Sequence, residues 1–201
     1  MKPIETIEAL TALYGEPSAA ALKKETGRLT DDYAAFIRTA RFMALTTVGP
    51  EGTDCSPRGD KGPVAHIHDP TTLLIPDRRG NNRIDSLRNI LRDPRVSLMF
   101  MIPGSSTIIR VNGQAYITAE PNVLDTLAEA GKPPRSVIVV KIETVYFQCS
   151  RALIRSGLWD GVAADRSLPT AGQILANMTD GAVGGDDYDR AWPERARESL
   201  W

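Results

Sequence analysis

Cysteine is scarce in this chain of 201 residues, with only Cys55 and Cys149 present. They stand far apart and outside any Cys-x-x-Cys spacing, which excludes a disulfide framework and a zinc knuckle. Both are expected to be inert thiols, buried or half-buried. Histidine is as rare. His66 and His68 share one face of a strand at i, i+2, a spacing able to offer two metal ligands, but no third ligand is evident, so they read as ordinary strand histidines and no metal site is expected. No apolar run approaches the ~18 residues of a membrane helix. The start, Met1-Lys2-Pro3-Ile4-Glu5, lacks the apolar stretch of a secretion signal, so a soluble cytoplasmic protein with no membrane partner is the expectation. Charge of one sign is missing too: 24 Lys+Arg face 25 Asp+Glu, and only 6% of residues are aromatic. That leaves no field and no stacking surface for nucleic acid, so any basic site has to be local. Gly-x-Ser-x-Gly, Walker and Gly-x-Gly-x-x-Gly motifs are absent, and Cys149 has no evident His partner. With no poised nucleophile or acid/base set, the chemistry has to come from a bound cofactor.

What is present is a globular composition, 42% hydrophobic and 24% charged, at a length that suits one substantial core. Ile4, Ile7, Leu10 and Leu13 at helical spacing, then Ala19 to Lys24, then Asp31 to Thr39 with Thr30 as N-cap, predict three N-terminal helices. From Phe42 the period becomes 2. Met43–Val48, the turn Gly49-Pro50-Glu51-Gly52 and Thr53–Arg58 form a hairpin, followed by short strands at Pro63–Ile67 and Thr72–Ile75. A helix over Arg83–Arg92 is predicted to turn Ile84, Leu87, Ile90 and Leu91 inward, with Pro94 ending it. Val96–Ile102 and Thr107–Thr118 pair across Pro103-Gly104-Ser105-Ser106. In the second of these, Ile109, Val111, Gly113, Ala115 and Ile117 face the core, and Arg110, Asn112, Gln114 and Tyr116 face away. A helix over Pro121–Ala130, a long strand Ser136–Phe147 and helices at Ser150–Ser156 and Thr170–Met178 complete the pattern, with Gly181–Gly185 loose. The fold expected is mainly β with peripheral helices: a small barrel of six or seven antiparallel strands over residues 41–160, a helical extension packed on it over 1–40, and a C-terminal helix and tail over 161–201. Trp192, Leu200 and Trp201 in a polar tail predict that it docks on its own barrel or on a partner chain.

Three clusters carry candidate chemistry. Pro76-Asp77-Arg78-Arg79-Gly80-Asn81-Asn82-Arg83 lies between a strand end and a helix start, where arginines, asparagines, Ser86 and unpaired helix amides suit a phosphate. The same arginines could instead pair with Asp60 or Asp77 on a solvated loop. Ser56 and Arg58, on one face of a strand edge marked by Pro57, form the second cluster. The third joins Arg151 and Arg155 on one helix face to Trp159, just past a glycine stop, a set that could flank a planar anionic cofactor or plug a core.

The runs Leu45-Thr46-Thr47, Ser56-Pro57-Arg58-Gly59-Asp60, Pro76-Asp77-Arg78 with Gly80-Asn81-Asn82-Arg83, Asp93-Pro94-Arg95-Val96-Ser97-Leu98-Met99-Phe100 and Arg110-Val111-Asn112-Gly113 resemble the pyridoxamine 5'-phosphate oxidase-related proteins with the FMN-binding split barrel. The likeness spans Phe42 to Trp159 and is similar to a subgroup distinct from the vitamin B6 oxidase. It implies a homodimer of split barrels with an FMN at each end of the subunit interface, and an oxidoreductase acting on a small-molecule substrate or electron donor. It places Ser56 and Arg58 with Asn82, Arg83 and Ser86 near the cofactor phosphate, and Pro76 and Asp77 beside the ring or ribityl chain. Asn112 reaches the flavin from the polar strand face, and Arg155 and Trp159 contribute from the C-terminal part of the barrel. Two departures stand out: the basic pair that true oxidases carry ahead of the helix falls on Asp85 and Ser86, and the C-terminal pattern that positions pyridoxamine phosphate is missing. A carrier or sensor that holds flavin or haem without turnover, and a deazaflavin-dependent reductase, are the alternatives; no catalytic residue is assigned.

Overall fold

The computed structural model describes residues 1–161 and 168–199. Three helices, α1 (Ile7–Tyr14), α2 (Ala19–Lys23) and α3 (Asp31–Thr39), precede the strands β1 (Phe42–Gly49), β2 (Gly52–Gly59), β3 (His66–Asp69) and β4 (Thr72–Asp77). After α4 (Asp85–Arg92) come β5 (Arg95–Met101), β6 (Ile108–Thr118), α5 (Pro121–Thr126) and β7 (Ser136–Gln148), then α6 (Arg151–Ser156), α7 (Ala171–Met178) and α8 (Gly185–Ser199). The seven strands make one antiparallel sheet in the order β2-β1-β5-β6-β7-β4-β3, the split barrel with peripheral helices that the sequence implied. Among the described residues no helix is long and apolar enough to cross a membrane.

Alternation builds the core. Met43 and Leu45 of β1, Val96, Leu98 and Phe100 of β5, and Ile109, Val111 and Ala115 of β6 all turn inward, while Arg110, Asn112, Gln114 and Tyr116 stay half-exposed or exposed. The first half of β7 is buried on both faces because Leu127, at the end of α5, packs with Val137 and Val139 into a second small cluster on the outer side. Thr30 caps α3 by accepting from Tyr33 N at 3.3 Å, and Ala34 and Ile37 anchor that helix on the sheet.

Several elements differ from the sequence reading. α4 buries Ser86, Asn89 and Ile90, whereas Ile84 and Leu91 are exposed. Polar residues take the inner face there because each finds a partner, Asn89 Nδ2 donating to Thr47 Oγ1 at 3.2 Å. β3 begins at His66 rather than Pro63, since proline lacks a ladder donor and Val64 N is already bonded to Ala40 O at 2.8 Å. α5 stops at Thr126, short of Ala130, where Ala130 and Gly131 turn the chain with φ of 49° and 76°. Both thiols are exposed, not buried or half-buried: Cys55 alternates onto the outer face of β2 and Cys149 lies just past the end of β7. Of the N-terminal extension, α3 packs on the barrel, while α1 and α2 bury none of their residues. Thr26 ties the segment between α2 and α3 to the free edge of β7, exchanging bonds of 3.1 and 2.7 Å with Val145.

The C-terminal segment is a helical hairpin. Thr170 and Gln173 form a capping box on α7, and Asp189 of α8 reaches back to accept from Gly172 N at 2.9 Å. The turn expected to be loose is tied by Thr179 Oγ1, which accepts from Val183 N at 2.9 Å. Leu200 and Trp201 lie outside the described residues.

Gly113 marks the tightest approach in the sheet. Pairing of β6 with β7 shifts register between Asn112 and Gly113, and a Cβ on Gly113 would sit 2.0 Å from the carbonyl oxygen of Lys141. A backbone atom cannot swing away as a side chain can, so Gly113→Ala forces the two strands apart at the cost of about 1–3 kcal/mol or more. The expected result is a clear fall in the urea midpoint; an unchanged midpoint would show that the sheet absorbs a methyl group there.

Candidate functional site

β2 and β4 are far apart in the hydrogen-bonding order of the sheet, yet curvature brings them face to face. Two crossed ion pairs span the gap. Arg58 of β2 pairs with Asp77 at the end of β4, and Arg78, the next residue, pairs at 2.9 Å with Asp60, just past β2. These side chains are mostly shielded, 19% and 18% exposed for the first pair and 15% and 4% for the second. At that depth the loss of one partner strands a charge in a poorly solvated place. Arg78 is also anchored through Nη1 to Leu127 O at 2.8 Å.

The cavity beside this seam has a volume of about 660 Å³. Alternation on β2 turns Asp54, Ser56 and Arg58 toward it, β4 supplies Pro76 and Asp77, and the 78–84 turn and the first residues of α4 supply the rest. A polar chain runs along its floor. Arg58 Nε donates to Ser56 Oγ at 3.3 Å, Ser56 Oγ and Ser86 Oγ are 3.0 Å apart, and Ser86 donates to Asp54 Oδ2 at 2.5 Å. A hydroxyl has one hydrogen: Ser86 gives its own to Asp54, so Ser56 gives its own to Ser86, and neither has one left for a ligand. α4 carries no side-chain cap, and its first residues, Ile84, Asp85 and Ser86, line the cavity.

The turn is itself organised. Asn82 takes φ 61°, in the left-handed region that asparagine tolerates better than most residues, and its Oδ1 accepts from Arg135 Nη1 at 2.7 Å. Asn81 Oδ1 accepts from Arg83 N at 3.0 Å. Arg83 pairs with Asp85 at 2.5 Å, and that bond and charge hold its guanidinium still more firmly protonated. Arg79 has no hydrogen bond or ion pair among the described residues.

Of the residues singled out from sequence, Ser56, Arg58, Pro76, Asp77, Asn82, Arg83 and Ser86 line this one cavity. Asn112, Arg155 and Trp159 do not. Asn112 sits on the polar face of β6 opposite Ser97 and Thr144, Arg155 is exposed on α6, and Trp159 donates through Nε1 to Ser105 O at 2.8 Å. Lining residues that escape the sequence reading include Asp54, Arg135 and Trp192. Asp54 is within its reach, being one alternation step before Ser56. Arg135 enters because β4 pairs with β7 in the register Asp77↔Ser136, a long-range fact that no local pattern carries. Trp192, exposed over half its surface, brings α8 to the rim.

The pairing of β3 with β4 shifts register between Ile67 and Asp69, and His66 is half-buried while His68 is exposed. No group of three His, Cys, Asp or Glu able to hold a metal occurs among the described residues. His66 is half-buried, and burial holds its pKa below the ordinary value, helped by Arg78 and opposed by Asp60.

A family model described as pyridoxamine 5'-phosphate oxidase matches residues 29–149, more than half of the chain. Among solved structures the chain is similar to HupZ of Group A Streptococcus, with 16% identity and a TM-score of 0.51 over 61% of this chain and 95% of that one. A histidine-to-alanine variant of the same HupZ gives 16% and 0.50 over 59% and 98%. A pyridoxamine 5'-phosphate oxidase-related, FMN binding protein from Nostoc punctiforme gives 11% and 0.46 over 61% and 86%. No curated protein matches.

A neutral His66 is the form the fold prefers, so its contribution to stability is complete above the ordinary value of 6.5 and is lost as pH falls below it toward the lowered folded value. Melting temperatures measured between pH 7.5 and 5 are expected to fall less steeply in His66→Gln than in the native chain. Parallel curves would remove His66 from the acid response.

Proposed function

Because the chain belongs to the pyridoxamine 5'-phosphate oxidase family over residues 29–149, we propose that it is an FMN-dependent oxidoreductase acting on a small molecule. The observation that carries this reading is the convergence, in one cavity of about 660 Å³, of guanidinium groups and a helix start without a side-chain cap. That volume falls inside the range of about 300–1,000 Å³ typical of cofactor and small-molecule sites. The donor set suits a phosphate ester: Arg58 commits Nε to Ser56 and Nη1 to Asp77, which leaves Nη2 for an incoming oxygen. Arg83 and Asn82 sit at the turn, and Ser86 fixes Ser56 from below rather than meeting the phosphate itself. Pro76, which lacks an amide hydrogen, and Asp77 form the wall along which the ribityl chain or ring would lie. Bound flavin supplies electron or hydride exchange; the protein holds, orients and shields it. The missing pattern for pyridoxamine phosphate argues for another substrate.

We further infer a homodimer. Asn112, Arg155 and Trp159 lie outside the cavity of their own chain, and the polar face of β6 that carries Asn112 remains half-exposed. A second copy placed on that face gives each site its full set of residues.

Purified protein reconstituted with FMN is expected to show the flavin absorption bands and to bleach on addition of a nicotinamide nucleotide or dithionite. Arg58→Ala and Arg83→Ala are each expected to weaken FMN binding ~10-fold or more, about 1.4 kcal/mol. Arg83 is 80% exposed, so its variant tests affinity without risk to the fold. Uptake of a deazaflavin in place of FMN would overturn the cofactor assignment, and flavin that no donor reduces would overturn the oxidoreductase. Sedimentation equilibrium is expected to give twice the chain mass, and Asn112→Ala to weaken FMN binding several-fold; a monomer, or an Asn112→Ala with native affinity, would refute the shared site.

A further inference from the structure

The cations around the cavity are not all spoken for by carboxylates. Arg58 pairs with Asp77, Arg78 with Asp60 and Arg83 with Asp85. Among the described residues Arg79 has no partner, the Arg135 side chain meets only the neutral amide oxygen of Asn82, and Lys132 makes no side-chain bond. Glu129, the carboxylate closest to Lys132 along the chain, is 4.0 Å from Lys61 instead. The unneutralised positive charge therefore collects on one side, adjoining Asn82 at the edge of the larger cavity. That side is a concavity of its own, about 200 Å³, lined by Arg78, Arg79, Lys132, Pro133, Pro134 and Arg135. It shares Arg78, Arg79 and Arg135 with the larger cavity and none of Ser56, Arg58, Asn82, Arg83 or Ser86.

One wall is set before any ligand arrives. Pro133 and Pro134 restrict the backbone that delivers Arg135, and Pro134 is buried. Arg135 is held from the side by Asn82 Oδ1 and from the backbone by its N–H to Asp77 O at 3.4 Å. Arg78 is fixed by Asp60 and Leu127 O. Arg79, Arg135 and Lys132 have unfilled donor positions and repel one another until an anion arrives, and two guanidinium groups with an ammonium suit a carboxylate or phosphate of two or three oxygens.

We propose that this concavity is a second anion subsite, which takes the acidic group, carboxylate or phosphate, of the molecule that exchanges electrons with the flavin. It rests on the reading of the larger cavity as the FMN site, and it narrows the substrate to a small anion. The acidic group anchors one end of the substrate, so its reactive part lies in the shared stretch between Arg79 and Asp77.

Inorganic pyrophosphate serves as the probe, titrated calorimetrically into FMN-loaded protein at low ionic strength. Arg79→Gln/Arg135→Gln is compared with Lys23→Gln/Arg38→Gln, which makes the same charge change on α2 and α3. Pyrophosphate affinity is expected to fall ~10-fold or more in the first variant and less than ~2-fold in the second, about 1.4 kcal/mol against a few tenths. FMN affinity is expected to fall less than pyrophosphate affinity in the first variant, where Arg135 no longer braces Asn82, and to stay unchanged in the second. Equal loss in the two variants would reduce the effect to net charge and overturn the subsite. A 10-fold loss of FMN affinity in Arg79→Gln/Arg135→Gln would overturn it differently, by putting these guanidiniums on the flavin's own phosphate. If the native chain takes up no FMN, the cofactor reading falls, and the same titration of the unloaded protein still decides the subsite: a selective 10-fold loss upholds it and an equal loss removes it.

Discussion

The site depends on a seam closed by charge. β2 and β4 cannot reach each other through backbone hydrogen bonds, because β1, β5, β6 and β7 intervene in the sheet. Arg58 with Asp77 and Asp60 with Arg78 cross the gap instead, each pair joining one strand end to the other. Both are shielded enough for the partners to matter to each other, yet neither is fully dry, so the desolvation penalty that weakens deeply buried pairs is reduced. The cavity is what the curvature of the sheet leaves beside the seam. Its charge pattern follows from the pairing: two arginines neutralised within the seam, one neutralised outside it by Asp85, and the remainder left to face a ligand.

The parts of the fold legible in the sequence are those set by local period. The hairpin of β1 and β2, the alternation of β6, and the N-cap at Thr30 can each be read from a few neighbouring residues. α4 is legible in extent but not in facing. Its inner face carries Ser86 and Asn89, and only their partners Asp54 and Thr47, over thirty residues upstream, make that burial tolerable. Strand order beyond the turn-linked pairs is not legible, because the pairing of β4 with β7 joins residues some sixty apart with no turn between them.

The same division runs through the site. The 76–83 run announces an anion-binding turn by composition, and the structure gathers it with Ser56 and Arg58 into one cavity. Which cations remain available is invisible in the sequence, since it depends on which carboxylates curl around to meet them. Asp60 and Asp77, expected as surface partners for the arginines, do pair with them, but across the seam and largely out of solvent. The ionic contacts and the ligand cavity are thus two aspects of one arrangement rather than competing readings of it.

A mouth fastened by side chains has a consequence for how such a barrel diversifies. Strands stitched by amides have fixed spacing, but here the distance between the two lips is set by the reach of arginine and aspartate. Exchanging those residues for shorter or longer ones would resize the aperture without disturbing a single rung of the ladder. A scaffold built in this way can adopt new small molecules while keeping its hydrophobic interior intact.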